Sequence, residues 1–277
     1  MKFNKEIHKI SGNRSLYLYS FDENESKQKI FWGAVADNWK SKPEFVERWF
    51  SNITQEMLSV IPDKKSIVLD LGCGAKTVDF PEKTKVIGLD IAKEMLENDS
   101  CNVVGSFDKL PFQNNSFDAV FCRMSIMFAS HPEQAFSECY RVLKPGGVFT
   151  FSVWQDLEFN KWAEVPMKIL SQQTGLQLPS KNDPHAFRFS NEEELKRLCE
   201  NANFNDFQSK KIEINIFHKM NGEEIAEKIL ELAGPLYTLF QKLPEEQKTQ
   251  TFKEISNTYN SLQVSCNALV ITVKKRG

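Results

Sequence analysis

The chain has 277 residues, a length typical of one large core with appended helices. Its 35 basic residues nearly balance its 37 acidic ones, and the formal charge of -2 gives no positive field for a nucleic-acid backbone or an anionic membrane surface. No stretch approaches the roughly 20 apolar residues that span a bilayer. We therefore expect a cytoplasmic protein without a membrane span that binds no nucleic acid, and its oligomeric state stays open.

The N-terminal part is predicted to be helical and strongly aromatic. Hydrophobic spacing indicates helices over residues 27–40 and 43–60, whereas the first 25 residues give no clear pattern. Its aromatic side chains either pack as core residues or line a lid over a ligand. Four of them are candidates for the lid: Tyr17, Tyr19, Trp32 and Trp39.

Short β-branched runs then alternate with helical patterns from residue 66 to about 155, which indicates parallel strands joined by crossover connections. A helix over residues 132–143 is well supported, because its apolar residues recur at helical spacing and Lys144-Pro145-Gly146-Gly147 ends it. The first crossover is short and contains Pro81, so we expect only one or two helical turns there. The predicted strands cover residues 66–71, 85–90, 102–104, 117–123 and 148–154.

The remaining chain is predicted to complete the sheet and to add helices. Helices are expected over residues 160–173, 191–201, 222–232 and 244–260, and strands over residues 206–218 and 265–274. We interpret the whole as one domain, residues 1–277. Its predicted parts are an extension and helical lid (1–62), a ligand-binding core (63–155), and the rest of the sheet (156–277) with a helical cap at about 220–260.

The six cysteines form no CxxC pair, and most lie within apolar segments. They are predicted to be buried residues of a protein in a reducing compartment, so neither a disulfide framework nor a metal site is expected. Their positions are 73, 101, 122, 139, 199 and 266.

A glycine-rich turn follows the first predicted strand in the segment "IVLDLGCGAKTVDF", residues 67–80. Gly72 and Gly74 let the backbone turn sharply and let a ligand approach it closely. A dinucleotide-binding loop needs a third small residue where this chain has Thr77, and Asp70 would repel a pyrophosphate. S-adenosyl-L-methionine carries an ammonium and a sulfonium but no phosphate, so it suits this combination better than a nicotinamide dinucleotide.

Four segments in order resemble the class I S-adenosylmethionine-dependent methyltransferases, in the small-molecule branch that includes ubiquinone and menaquinone biosynthesis C-methyltransferases. They are "LDLGCG", "VIGLD", "LPFQNNSFDAVFC" and "RVLKPGGVFTFSVW". The resemblance implies an α/β, Rossmann-like, doubly wound fold. Its mostly parallel seven-stranded sheet would have an antiparallel last strand, with an N-terminal helical lid and a helical insertion before that strand.

The resemblance also implies which residues bind the cofactor. Asp70 and the loop Gly72, Cys73 and Gly74 would face the methionine end, and Asp90, followed by Ile91, would hold the ribose hydroxyls. The family often has an acidic residue at the position of Ser106 to accept from the adenine amino group, and a third glycine at the position of Lys76. The remaining candidates are Phe107 over the adenine face, Asp108 as a substitute acceptor, and Arg123 and Met124 near methionine or the acceptor.

Methyl transfer is an in-line displacement that needs alignment in a dry cavity, and neither a metal nor a covalent residue is required. A base helps when the acceptor is an acidic carbon, a phenol or an amine, and His131 is the leading candidate among four histidines. His185 is the second candidate. We expect the aromatic N-terminal helices and the insertion at 220–260 to form an apolar pocket for a small-molecule substrate.

Two other functions stay open from the sequence. The departures at Lys76 and Ser106 and the short crossover are compatible with a regulatory protein, or with a catalyst of a different reaction, built on the methyltransferase fold. Nicotinamide-dependent oxidoreduction is disfavoured by Thr77.

Overall fold

The computed structural model describes residues 21–62, 65–75, 78–97, 101–175, 180 and 183–277. Expectations for Tyr17, Tyr19, Lys76 and Thr77 lie outside the described residues. Among the described helices, none is both long enough and apolar enough to cross a bilayer.

Seven strands form one sheet in the order β3-β2-β1-β4-β5-β7-β6. Strands β1 to β5 pair in parallel, and β7 is antiparallel to both of its neighbours. The predicted fold class is therefore confirmed. The strands are β1 (Ile67–Leu71), β2 (Lys85–Asp90), β3 (Asn102–Val104), β4 (Phe117–Arg123), β5 (Leu143–Trp154), β6 (Phe204–Glu213) and β7 (Asn267–Lys275).

Eight α-helices accompany the sheet in the described part of the chain. They are α1 (Glu23–Ser41), α2 (Pro43–Leu58), α3 (Pro132–Val142), α4 (Lys161–Thr174), α5 (Glu192–Asn201), α6 (Gly222–Leu232), α7 (Gly234–Gln241) and α8 (Glu245–Asn260). Helix α7 was missed by the prediction, because Gly234 and Pro235 read as a break although proline suits a first helical turn. The order of β6, α6–α8 and β7 places a helical insertion before the last strand, as expected, but it has three helices where two were predicted.

The predicted helical turns in the first crossover are wrong. The described residues between β1 and β2, namely 72–75 and 78–84, form turns and extended chain. Phe80 packs edge-on against Phe121 of β4, with ring centroids 5.0 Å apart. An extended segment with one aromatic side chain thus covers the sheet where a crossover helix normally packs, and Pro81 disfavours continuation of a helix.

The bounds of strands β5 and β6 differ most from the prediction. Strand β5 begins at Leu143, not at residue 148, because Leu143 pairs with Phe117 and a bulge separates this pair from Ala119 and Val148. The predicted strand at 206–218 begins earlier, at Phe204, and ends at Glu213, and a short 3-10 helix, Ile216–Lys219, follows it.

Helix α2 attaches the N-terminal segment to the sheet through an aromatic cluster. Trp49 stacks on Phe50 at 5.1 Å and meets Trp162 edge-on at 5.5 Å, and its indole N–H donates to the sulfur of Cys266. Aromatic pairs of this kind contribute about 0.5–1.5 kcal/mol each beyond their buried area. Helix α2 is therefore bound to the core, and it fixes the position of the C-terminal end of α1, which directly precedes it.

Helix α1 runs across the carboxyl edge of the sheet. At one end, Trp39 donates from its indole N–H to the carbonyl of Leu232 in α6 (2.8 Å). The helix packs against α7 and against a short 3-10 helix, Lys93–Met95, that follows β2. This position makes α1 a wall of whatever binds at that edge.

The cysteines behave as expected of core residues. Four of the six are buried and two are half-buried, and all six are free thiols. The buried ones are Cys122, Cys139, Cys199 and Cys266.

Candidate functional site

A cavity lies at the carboxyl edge of the sheet, under helix α1. Because parallel strands end at the same edge, the residues that follow β1, β2 and β4 converge there. The predicted cofactor-binding residues that line it are Asp70, Gly72, Cys73, Gly74, Asp90, Ile91, Ser106, Phe107, Arg123 and Met124. Asp108 and His131 are not among its lining residues.

The glycine turn requires glycine for two separate reasons. Gly72 and Gly74 have φ angles of +72° and +55°, which side chains rarely adopt. A Cβ atom on Gly72 would also lie 2.5 Å from the Cβ of Ser125. Ser125 is held in that place because its hydroxyl donates to the carbonyl of Leu71 (2.9 Å). The backbone therefore stays open toward the cavity only with glycine at position 72.

Asp90 ties the glycine turn to the segment after β2. One carboxylate oxygen accepts from the backbone N–H of Gly74 (3.0 Å), and the other accepts from that of Ala92 (2.9 Å). Burial raises the pKa of Asp90 to about 6, against the lowering effect of these backbone donors. A carboxylate has about four acceptor sites, so the backbone donors of Ala92, Gly74 and Ile91 leave part of this capacity for a ligand.

Asp70 is a buried carboxylate with incomplete charge compensation. Burial raises its pKa to about 7, and Arg123 only partly opposes this shift. Arg123 is itself engaged elsewhere, because it donates to the hydroxyl of Thr54 (2.7 Å) and lies over the Phe50 ring. Asp90 adds a second negative charge nearby and raises the pKa of Asp70 further. The site therefore attracts a cation.

Helix α1 supplies site residues that the sequence reading missed. The Ser106 hydroxyl donates a hydrogen bond to the Glu25 carboxylate, which also accepts from the backbone N–H of Asp22 in a capping box. The D-x-x-E pattern at residues 22–25 was the available signal, but the predicted helix began at residue 27. Other lining residues that were missed are Gln28, Phe50, Met95, Ser125, Phe128 and Ser130.

His131 and Asp108 form a pair beside the cavity. The Nδ1 atom of His131 lies 2.8 Å from a carboxylate oxygen of Asp108, and the backbone N–H of His131 donates to the same oxygen (3.1 Å). This hydrogen bond raises the pKa of His131, whereas burial raises that of Asp108. Asp22, Asp108 and His131 each offer one possible metal-ligand atom, and these atoms lie within 4.8 Å of one another. The hydrogen bond between His131 and Asp108 accounts for their close approach without a metal ion.

A model of the methyltransferase domain family matches residues 69–151, the segment that contains the glycine turn, Asp90 and strands β1 to β5 up to Phe151. Residues 69–151 therefore form a methyltransferase domain. The resemblance drawn from the four motifs is thereby confirmed.

Relatives of this methyltransferase domain match its core, but their names give different activities. The malonyl-[acyl-carrier protein] O-methyltransferase 1 of Coxiella burnetii is 35% identical over 103 residues, covering 35% of this chain and 36% of that protein. A mitochondrial arginine-hydroxylase of Mus musculus is 25% identical over 199 residues, covering 68% of this chain and 56% of that protein. The matches to the first relatives span between 19% and 36% of their lengths.

The fold extends beyond the matched segment. The phosphoethanolamine N-methyltransferase 2 of Haemonchus contortus, solved with S-adenosyl-L-methionine, superposes with a TM-score of 0.50 at 18% identity. The superposition covers 88% of this chain and 60% of that one. The methyltransferase fold thus accounts for most of the chain.

Proposed function

We propose that the protein transfers a methyl group from S-adenosyl-L-methionine to a small, partly apolar or aromatic acceptor. The observation that carries this proposal is the under-compensated Asp70 carboxylate beside a glycine turn that leaves the backbone open. A cationic ligand restores the charge balance there, whereas a phosphate worsens it. Because the relatives match only over the domain core, the activity and the acceptor of the whole chain are inferred from this site.

The lining residues fit the cofactor part by part. Asp70 would hold its ammonium group, and the free acceptor sites of Asp90 would hold the ribose hydroxyls. Phe107 would cover the adenine ring. The cofactor supplies a methyl group on a positively charged sulfur, which leaves as a neutral thioether when the acceptor attacks.

We infer that Glu25 replaces the acidic residue that the family often has at the position of Ser106. Its carboxylate reaches Ser106 from α1, so an acceptor is present at the expected place although it comes from another element. An ionised acceptor binds an amino group more strongly than a hydroxyl does. Cofactor binding is then coupled to the position of α1, which supports a role of α1 as a lid.

His131 as a catalytic base stays a prediction. Its raised pKa favours the protonated form, which cannot accept a proton, and its side chain is 62% exposed. The hydrogen bond between His131 and Asp108 instead supports a role of His131 in positioning the loop that carries Ser130. Asp108, which contacts His131 and not the cavity, is proposed to act through this loop.

The near-neutral charge supports a substrate other than nucleic acid. The free cysteines support a cytoplasmic location, which is a reducing compartment. Titration calorimetry with S-adenosylhomocysteine tests the cofactor, with NAD as the matched control ligand. Heat from the first and none from the second is expected. Incubation of a metabolite extract with methyl-labelled cofactor then tests transfer, and cofactor binding without any labelled product would favour a non-methylating function.

A further inference from the structure

A second cavity, of about 380 Å³, adjoins the first, and the two share Gln28 of helix α1 as a lining residue. Its walls come from α1, α4, α7 and the residues before α5, and most of its lining side chains are apolar. This volume is within the range of small-molecule pockets, roughly 300–1,000 Å³. The main apolar contributors are Phe31, Trp162, Met167, Phe187, Leu236 and Leu239.

Gln28 lies in the wall that both cavities share. Its side chain is 6% exposed, and its Oε1 atom is buried without a hydrogen-bond partner among the described residues. Leaving a buried polar atom unpaired costs about 1–3 kcal/mol, so native proteins seldom keep one without a reason. A ligand that donates a hydrogen bond at this junction would remove that cost.

His185 provides a second polar group in the same cavity. The backbone N–H of Phe187 donates to its Nδ1 atom (3.1 Å), which in the neutral ring places the proton on Nε2. Burial, followed by the nearby Arg188, lowers the pKa of His185 and keeps the ring neutral. In this tautomer the Nε2–H group of His185, a lining residue of the cavity, is a hydrogen-bond donor.

We propose that this second cavity binds the methyl acceptor, an apolar molecule with a hydroxyl group that donates to Gln28 and accepts from His185. The apolar walls select the body of the molecule, and the two polar groups orient its hydroxyl end toward the wall shared with the cofactor cavity. This assignment rests on the proposed function, because only methyl transfer requires the cofactor in the first cavity and the acceptor in the second to approach each other at the wall that the cavities share.

The test uses 2-naphthol as the probe and naphthalene as its counterpart without a hydroxyl group. Quenching of tryptophan fluorescence reports binding, since Trp162 lines the cavity. Wild type should prefer 2-naphthol by about 2- to 10-fold, the effect of one or two net hydrogen bonds. Gln28→Met keeps the size of the side chain and should reduce that preference, whereas Gln247→Met on exposed α8 should leave it unchanged.

Two variants fill the cavity from opposite walls, Leu239→Trp in α7 and Met167→Trp in α4. Both sites are half-buried, and thermal melting checks that each variant is folded. Either folded variant should weaken 2-naphthol binding by at least about tenfold. Titration calorimetry measures this affinity in the two variants and in wild type, because the added tryptophan changes the fluorescence signal. Equal probe affinity in a folded cavity-filling variant and in wild type overturns the assignment.

Calorimetry with S-adenosylhomocysteine on wild type and the two cavity-filling variants separates this inference from the proposed function. Retained cofactor binding together with lost probe binding supports an acceptor site. Retained cofactor binding with probe affinity insensitive to both cavity-filling variants rejects the site and leaves the proposed function standing. No cofactor binding by wild type rejects both the proposed function and the acceptor role.

Discussion

The Ser106 hydroxyl donates a hydrogen bond to the carboxylate of Glu25, which lies 81 residues away in sequence on the helix that crosses the site. This contact brings an ionised acceptor from an N-terminal helix to the place expected for the adenine amino group. It also connects α1 directly to the turn after β3.

Replacement of Glu25 should change which purine the site prefers. Gln at position 25 keeps the capping box but exchanges an ionised acceptor for a neutral amide that also donates. Glu25→Gln should therefore weaken binding of S-adenosylhomocysteine several-fold and strengthen binding of its inosyl analogue, whose ring oxygen accepts. Calorimetry with both ligands measures the preference, with exposed Glu23→Gln as the control. Parallel losses for the two ligands would place Glu25 away from the purine.

Binding of S-adenosylhomocysteine should depend on the ionisation of Asp70. Its pKa in the ligand-free protein is raised to about 7, so the carboxylate gains a proton as the pH falls through that value and loses its attraction for the ligand ammonium. Affinity should drop about tenfold per pH unit below about 7 in wild type. Asp70→Asn should bind weakly, without this step, and a persistent step near pH 7 in the variant would assign it to another group such as Asp90.

The same substitution should stabilise the protein without ligand. A folded pKa raised above the unfolded value of 3.8 means that stability is lost as the pH rises from about 4 through about 7. At about pH 8 the ionised Asp70 thus costs on the order of a few kcal/mol, which Asp70→Asn removes. Thermal unfolding should show a higher melting temperature for the variant at pH 8 and a smaller difference at pH 6. An unchanged melting temperature at both pH values would contradict this burial cost.

Gly72→Ala should destabilise more than Gly146→Ala. Both glycines have positive φ, +72° and +75°, but only at Gly72 would the added Cβ meet another atom, in Ser125. Strain alone costs roughly 1–2 kcal/mol, and overpacking adds roughly 1–3 kcal/mol at position 72. Urea unfolding of both variants measures the two free energies, and the difference isolates the collision. Similar losses would mean that Ser125 moves aside.

His131→Gln distinguishes a base from a positioning residue. The pKa of His131 is raised in the folded protein, so its ion pair with Asp108 stabilises the fold below the unfolded pKa, and this contribution is lost as the pH rises through the folded value. The variant should melt lower than wild type at about pH 6 and equally at about pH 9. A base role predicts instead a large loss of turnover with unchanged cofactor affinity and melting temperature.

The sheet was predictable because its information is local. The β-branched runs, the glycine turn and the acidic strand ends each identify themselves within a few residues, and parallel topology then brings Asp70, Asp90 and Arg123 to one edge. The predictions were wrong where contacts between residues far apart in sequence determine the local conformation. The first crossover is extended where Phe80 packs against Phe121. Helix α7 forms although its first two residues are a Gly-Pro pair.

The sequence by itself determined the methyltransferase core, and it predicted that the glycine loop binds a cofactor and that Asp70 attracts a positively charged ligand. Only the tertiary structure decided the other half of the site, because the path of α1 across the sheet depends on packing of α2 and α7, not on its own periodicity. That path places Glu25 on the first cavity and Gln28 between the two. Contacts between residues far apart in sequence have no local signature, so neither side chain could be assigned before the fold.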